Sequence, residues 1–334
     1  MLKSVIKEDN ELDKKNKKSK ESKTLTKKYK SFKNNFNEDQ LESKSGVKYA
    51  PIAFLLILPY LLWNLIFWVY PNIMSIPITF FNWSIIGSEK QFIGLTNFID
   101  FLLSEEFKAI ITNMFKFSII YIPAALILSM LISLMLASVE NKKLKGIFSA
   151  AIILPQLSSA VAYTVVFSKI FHPNSLLSRF VSFIFNQKIS WFSNPNLVLI
   201  PIATMILWKS IGYYSLLLTA NITSIPKEYH EAALLEGATA WTRFWKITFP
   251  LINPTFVIIV IFSVTTFFAI FAEPYMLTAG GPMLASYAFK LEIYHQIYER
   301  LAAGKGAAVA LIQGLISFSL VMMIRKILER KEVN

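Results

Sequence analysis

Six runs of apolar residues, each long enough to cross roughly 30 Å of hydrocarbon, leave this chain very few folds. Within lipid every backbone N–H and C=O must be paired inside the segment, so such runs fold as membrane-spanning helices. They cover residues 51–70, 110–139, 147–171, 197–222, 255–277 and 307–324. The spacing predicts an all-α integral membrane protein with six transmembrane helices. The second run exceeds a simple crossing and is expected to tilt or to extend beyond the bilayer. The first begins near Pro51 and is long enough to stay as a span, so no cleavable leader is expected.

Composition agrees where it bears on this. Only 16% of the 334 residues are charged, against about a quarter in soluble domains. The net charge of +13 would suit nucleic acid, but its placement points elsewhere. Of 34 Lys and Arg, 14 are lysines in the first 49 residues, and 24 lie in that tail, the 140–146 connector, the 223–254 loop and the C-terminus. That asymmetry is the positive-inside pattern, and it predicts both termini on the cytoplasmic side. Loops near 72–109, 172–196 and 278–306 then face outward. No cysteine is present, and His172, His230 and His295 stand apart, so neither a disulfide nor a metal cluster is expected.

Residues 1–49 form a Lys-, Glu-, Asn- and Ser-rich tail without apolar periodicity, expected to be a disordered cytoplasmic segment. The transmembrane domain is expected over 50–325 and a short cytoplasmic C-terminus over 326–334. No internal repeat is evident.

The loop 223–254 is too polar to enter lipid and too patterned to be a plain connector. Pro226 and Glu228 suit a first helical turn, the glutamate complementing the positive end of the helix dipole. A helix is predicted from Lys227 to Glu236, broken at Gly237, because glycine tolerates the left-handed conformation. A second helix places Trp241, Phe244, Trp245 and Thr248 at i, i+3, i+4 and i+7, an apolar face suited to the membrane boundary or the inner span ends. Pro250 and Pro254 are expected to close the segment before the fifth span. Glu231, flanked by the small Ala232 and Ala233, offers a carboxylate to a cationic partner. An interfacial anchoring helix would share these features.

The whole spacing, Glu231-Ala232-Ala233, Gly237, Ile247 and Pro250, resembles the EAA signature of permease subunits of ATP-binding-cassette importers. Phe249 stands where that pattern has leucine. Residues 92–98 (FIGLTNF) resemble the "GL-NF" element of the carbohydrate-uptake group, and residues 277–282 (LTAGGP) its "LT-GGP" element, although Gly-Gly-Pro is also an ordinary loop turn. The resemblance covers about residues 50–325 and implies a type I importer core, related to the maltose F, lactose F and glycerol-phosphate A subunits. It implies that Glu231, Ala232, Ala233, Gly237, Ile247 and Pro250 dock an ATPase. It also implies a second permease, two ATPase subunits, an extracytoplasmic solute-binding protein and a bacterial inner-membrane location.

Polar groups inside spans are costly and are candidates for function. Trp208, Lys209 and Tyr213 in the fourth span, and Ser263 and Thr266 in the fifth, are candidates for the substrate path. Tyr213 and Ser263 match positions lining the sugar site in maltose-type members, while Phe267 and Ile270 replace asparagines there, which argues against maltose itself. Tyr and Ser in spans also serve as helix-to-helix hydrogen bonds, and both roles stay open. Lys209 is placed to line an aqueous path or to pair with Glu273, a residue expected near the outer end of its span and solvated. A lysine there also suits a phosphorylated or acidic sugar.

No phosphate-binding Gly-rich loop is present: Gly304-Lys305 has Glu299 at the first glycine position. The chain is therefore read as a transporter subunit with no cofactor of its own, ATP being bound by partners. Alternatives are an ion-coupled secondary carrier, a membrane anchor without a path, or a permease for glycerol phosphate, polyamine or another non-sugar solute.

Overall fold

A computed structural model describes residues 54–86 and 90–329; the basic tail and the last five residues lie outside the described residues. The chain divides into two units, Met1–Asn72 and Ile73–Asn334. In the first, the described residues belong to one apolar helix, α1, which runs from Phe54 through to Ile78. Tyr70 was the expected end, but Pro71 is absorbed: a π turn at Leu65–Val69 stops two residues before it. Proline cannot donate to the carbonyl four residues back and its ring crowds that carbonyl, and a wider preceding turn relieves both problems.

In the second unit, a short antiparallel hairpin, β1 (Phe81–Trp83) and β2 (Lys90–Phe92), precedes α2 (Thr96–Leu102). Periodicity gave no sign of this hairpin. Asn97 of the "GL-NF" element donates to the carbonyls of Thr79 (2.8 Å) and Phe81 (3.0 Å), fastening α2 to β1. Helix α3, Glu105–Ala137, has 33 residues and spans about 50 Å. It starts five residues before the expected run because Ser104 caps it, accepting from the Phe107 N–H at 3.1 Å.

The third expected span is broken. Asn141 caps α4 (Lys142–Ile153), which opens within the expected connector and passes into a 3-10 turn at Leu154–Leu157. Ser158 and Ser159 are extended, and Ser159 caps α5 (Ala160–Ile170), so the chain bends by 96°. Pro155 and two serines that compete for backbone hydrogen bonds account for the break. Among the described residues, five helices are long and apolar enough to cross a membrane, six if this bent pair counts as one. The short α6, Leu176–Phe185, exposes Leu176, Phe180, Phe183 and Phe185 in a segment expected to be loop.

Helix α7 (Leu199–Ser224) packs along α3. After α8 (Lys227–Leu235), α9 runs unbroken from Ala240 to Ala269, so Pro250 and Pro254 lie inside it instead of closing the preceding segment. Its π turn, Phe244–Thr248, again stops two residues before a proline. The fifth span ends at Ala269, not Leu277: Ile270 is extended and a separate helix, α10 (Ala272–Thr278), follows. Asn113 of α3 donates to the Leu284 (2.7 Å) and Tyr287 (3.0 Å) carbonyls and so holds the loop after α10. Helix α11 (Phe289–Tyr294) leads to α12, Ala303–Glu329, which contains the sixth expected span. The core of this unit joins Phe117 and Tyr121 of α3, Met205 and Leu218 of α7, Ile259 and Phe267 of α9, and Phe289 of α11.

Candidate functional site

A cavity of about 400 Å³ opens between α3, α5, α7, α9 and α10. Helix α7 contributes Ile206, Lys209, Ser210, Tyr213 and Tyr214, one face at helical spacing. Helix α9 contributes Phe262, Thr265, Thr266 and Ala269 in the same way. Ile270 comes from the break beyond Ala269, Glu273 from the first turn of α10, Gln156 from the 3-10 turn, Tyr121 from α3 and Tyr163 from α5.

The wall mixes apolar surface with hydroxyls that are internally ordered. The Tyr121 and Ser210 hydroxyls are 2.7 Å apart. Ser210 also donates to the Ile206 carbonyl at 2.8 Å, so Tyr121 is the donor of the pair. Thr265 and Thr266 donate back to the Phe262 carbonyl (3.0 and 2.8 Å), which leaves their oxygen lone pairs as acceptors. Tyr163 donates its hydroxyl to Glu273, and the Lys209 ammonium lies 5.4 Å from the centre of the Tyr163 ring. Glu273 is only 6% exposed, so the expectation of a solvated carboxylate is wrong; the helix break turns α10 inward over α5. Lys209 forms no ion pair with it among the described residues.

Of the residues expected on a substrate path, Lys209, Tyr213, Thr266 and Ile270 line this cavity. Ser263 and Phe267 do not. Four residues apart, they share the opposite face of α9 and are buried, Phe267 against Phe117 at 5.7 Å. Trp208 also points elsewhere, packing 5.5 Å from Phe167 and lining a separate cavity of about 290 Å³. Tyr121, Gln156 and Tyr163 escaped the sequence analysis. The signal for Tyr121 and Tyr163 was a hydroxyl in the midst of an apolar run, and for Gln156 the interruption Pro155-Gln156-Leu157-Ser158-Ser159.

The segment between α7 and α9 forms the second part of the site. Helix α8 has no buried residue; Glu231 and Ala232 are exposed, Ala233 half-buried, and Leu235 is 91% exposed. It ends where predicted: Gly237 takes φ +77, and the Ala238 N–H donates to the Ala233 carbonyl at 2.9 Å. Thr239 then caps α9. Ile247 and Pro250 fall on the π turn and just beyond it, and Pro250 is exposed. Trp241, Phe244 and Trp245 face Leu126, Met130 and Leu134 of α3 across an apolar groove of about 640 Å³, so this face meets a span, one of the two contacts expected for it; Thr248 is buried and does not line the groove.

Farther along, Glu292 of α11 is 1% exposed and accepts from Tyr287 and from Gln296, both at 2.6 Å. Burial, and then the bonded carboxylate, hold the Tyr287 phenol well above its ordinary value.

Among known proteins, a probable ABC transporter permease, YurN of Bacillus subtilis, is 27% identical over 81% of this chain and 94% of its own length. The trehalose/maltose permease MalF of Thermococcus litoralis is 26% identical over 87% and 98%. The sn-glycerol-3-phosphate permease UgpA of Agrobacterium fabrum is 27% identical over 84% and 95%. A bacterial alginate ABC transporter, solved with an alginate pentasaccharide-bound periplasmic protein, has a chain of the same fold. It superposes with a TM-score of 0.73 at 20% identity, over 86% of this chain and 97% of that one. Residues 129–332 match the family described as binding-protein-dependent transport system inner membrane component. The chain belongs to that family and is a multi-pass permease component of an ABC importer.

Proposed function

We propose that this permease carries sugars or sugar derivatives, that the cavity between α7 and α9 is its half of the translocation path, and that α8 docks an ATPase. The observation that carries this reading is continuity. The exposed α8 hangs between the two helices that supply most of the cavity wall, so force applied to it acts directly on that wall.

A second, related permease completes the path, two ATP-binding-cassette subunits bind and hydrolyse ATP, and an extracytoplasmic protein delivers the solute. Glu231 pairs with a basic group of the ATPase, and Gly237 makes the bend that presents it. Both termini and the 223–254 segment face the bacterial cytoplasm, a reading supported by the 24 basic residues gathered on that side. Tyr213, with Phe262 6.3 Å from its ring, offers an aromatic surface for a sugar face, while Ser210, Thr265 and Thr266 offer hydroxyls. The relatives named for trehalose/maltose and for glycerol phosphate support a polyhydroxylated cargo. Transport follows alternating access, with ATPase closure moving α7 and α9 through α8.

Glu231→Lys tests the docking assignment in the complete importer. The expected result is loss of both ATPase co-purification and uptake; retention of both overturns it. Uptake that survived deletion of the ATPase would favour an ion-coupled carrier.

A further inference from the structure

One tyrosine separates the two charged groups of the cavity. Tyr163 gives its hydroxyl to Glu273 and its ring face to Lys209, 5.4 Å away. The two ions are therefore not equivalent. Glu273 is buried, and its carboxylate accepts a hydrogen bond already. Lys209 is partly exposed to the cavity, and a cation–π contact uses none of the three ammonium donors.

No carboxylate lies within ion-pair distance of Lys209 among the described residues. Its position, the eleventh residue of a 26-residue spanning helix, keeps it from reaching either membrane surface easily. An ammonium at that depth is costly unless something in the cavity compensates it. Around it stand groups that suit a polyol: the Gln156 amide, the Ser210 and Thr266 hydroxyls and the Tyr213 ring.

We infer that the cavity takes a saccharide bearing an oxyanion, a carboxylate or a phosphate ester, and that Lys209 is its counter-charge. This rests on the reading of the cavity as the solute path. Lys209 is then the specificity-determining residue, and the hydroxyl-lined wall holds the sugar ring.

The test uses the complete importer in lipid nanodiscs, with binding of digalacturonate, glucose 6-phosphate and maltose followed by saturation-transfer NMR. At least one anionic probe is expected to bind about tenfold or more tightly than maltose, the scale of a charge-assisted hydrogen bond, and to weaken as salt is raised. Whichever anionic probe binds more tightly identifies the oxyanion. Lys209→Met should abolish the preference and Lys209→Arg should keep it. If the methionine variant does not assemble, the wild-type preference, its salt dependence and the arginine variant still decide. Equal binding of all three probes by the wild type overturns the inference and leaves the path reading intact. A preference that survives in Lys209→Met overturns the role of Lys209. Binding of none of the three overturns the path reading and this inference with it.

Discussion

Gly212 of α7 lies against the backbone of Ile152 in α4: a Cβ at position 212 would stand 1.7 Å from the Ile152 carbonyl oxygen. This approach brings the 3-10 turn carrying Gln156 beside Tyr213 on the cavity wall. Backbone cannot rotate out of the way as a side chain can. Gly212→Ala should therefore destabilise the purified complex by about 1–3 kcal/mol or more, read as a fall in Tm. Gly314→Ala, where nothing lies within 4 Å, is the matched control and should be neutral or slightly stabilising. Equal behaviour of the two variants would show that the 212–152 contact does not set the elbow.

Asn97 serves two carbonyls from one amide, those of Thr79 and Phe81. Asn97→Leu keeps the volume and leaves both acceptors without their donor. A loss of about 2–4 kcal/mol is expected in thermal unfolding, from two buried groups at about 1–2 kcal/mol each. A loss below about 0.5 kcal/mol would mean that the α2–β1 junction is held by apolar packing alone.

Tyr287 titrates late because burial and Glu292 both oppose the phenolate. In the unfolded chain a tyrosine loses its proton near pH 10. The folded value is higher, so this contribution to stability is fully present below pH 10 and is lost as pH rises through the folded value. Tyr287→Phe should remove that alkaline dependence. It should also cost about 1–3 kcal/mol at neutral pH, because Glu292 keeps only its Gln296 donor. Unfolding profiles of the two proteins that stayed parallel above pH 10 would count against this account.

At Gly237 the φ of +77 is accessible to glycine and tolerated by asparagine, but strained for a β-branched residue. Gly237→Asn should retain ATPase association, and Gly237→Val should weaken it severalfold, measured by co-purification. Nothing lies within 4 Å of a Cβ there, so any effect arises from the backbone and not from a clash. Equal association of both variants would separate the bend from docking.

The elements legible in the sequence were those governed by one local rule. Gly237 ended its helix because a single residue type fits a left-handed turn, and the long apolar runs became helices because lipid allows little else. The broken third span was hidden, since Pro155 and the two serines sit in a run whose mean hydropathy still reads as one crossing. Likewise Pro250 looked like a terminator, yet a π turn carried α9 past it. The substrate path was legible only in part. Polarity picked out Ser263 as readily as Thr266, and only the orientation of α9 around its axis decides that one faces the core and the other the cavity. That rotation is set by tertiary packing, as in the contact between Phe267 and Phe117, which no local pattern records.

The unbroken course of α9 has a mechanical consequence. Its 30 residues form a rod about 45 Å long, with Trp241 at one end and Ala269, at the cavity edge, at the other. Tilting such a rod by about 5° about one end displaces the other by about 4 Å, more than a hydrogen bond can stretch. The π turn at Phe244–Thr248, one residue overwide and two residues before Pro250, is its least regular joint and lies near the end from which it would be driven. If α8 docks the ATPase as proposed, a small angular input there would reach Thr265, Thr266 and Ala269 as a change of cavity width.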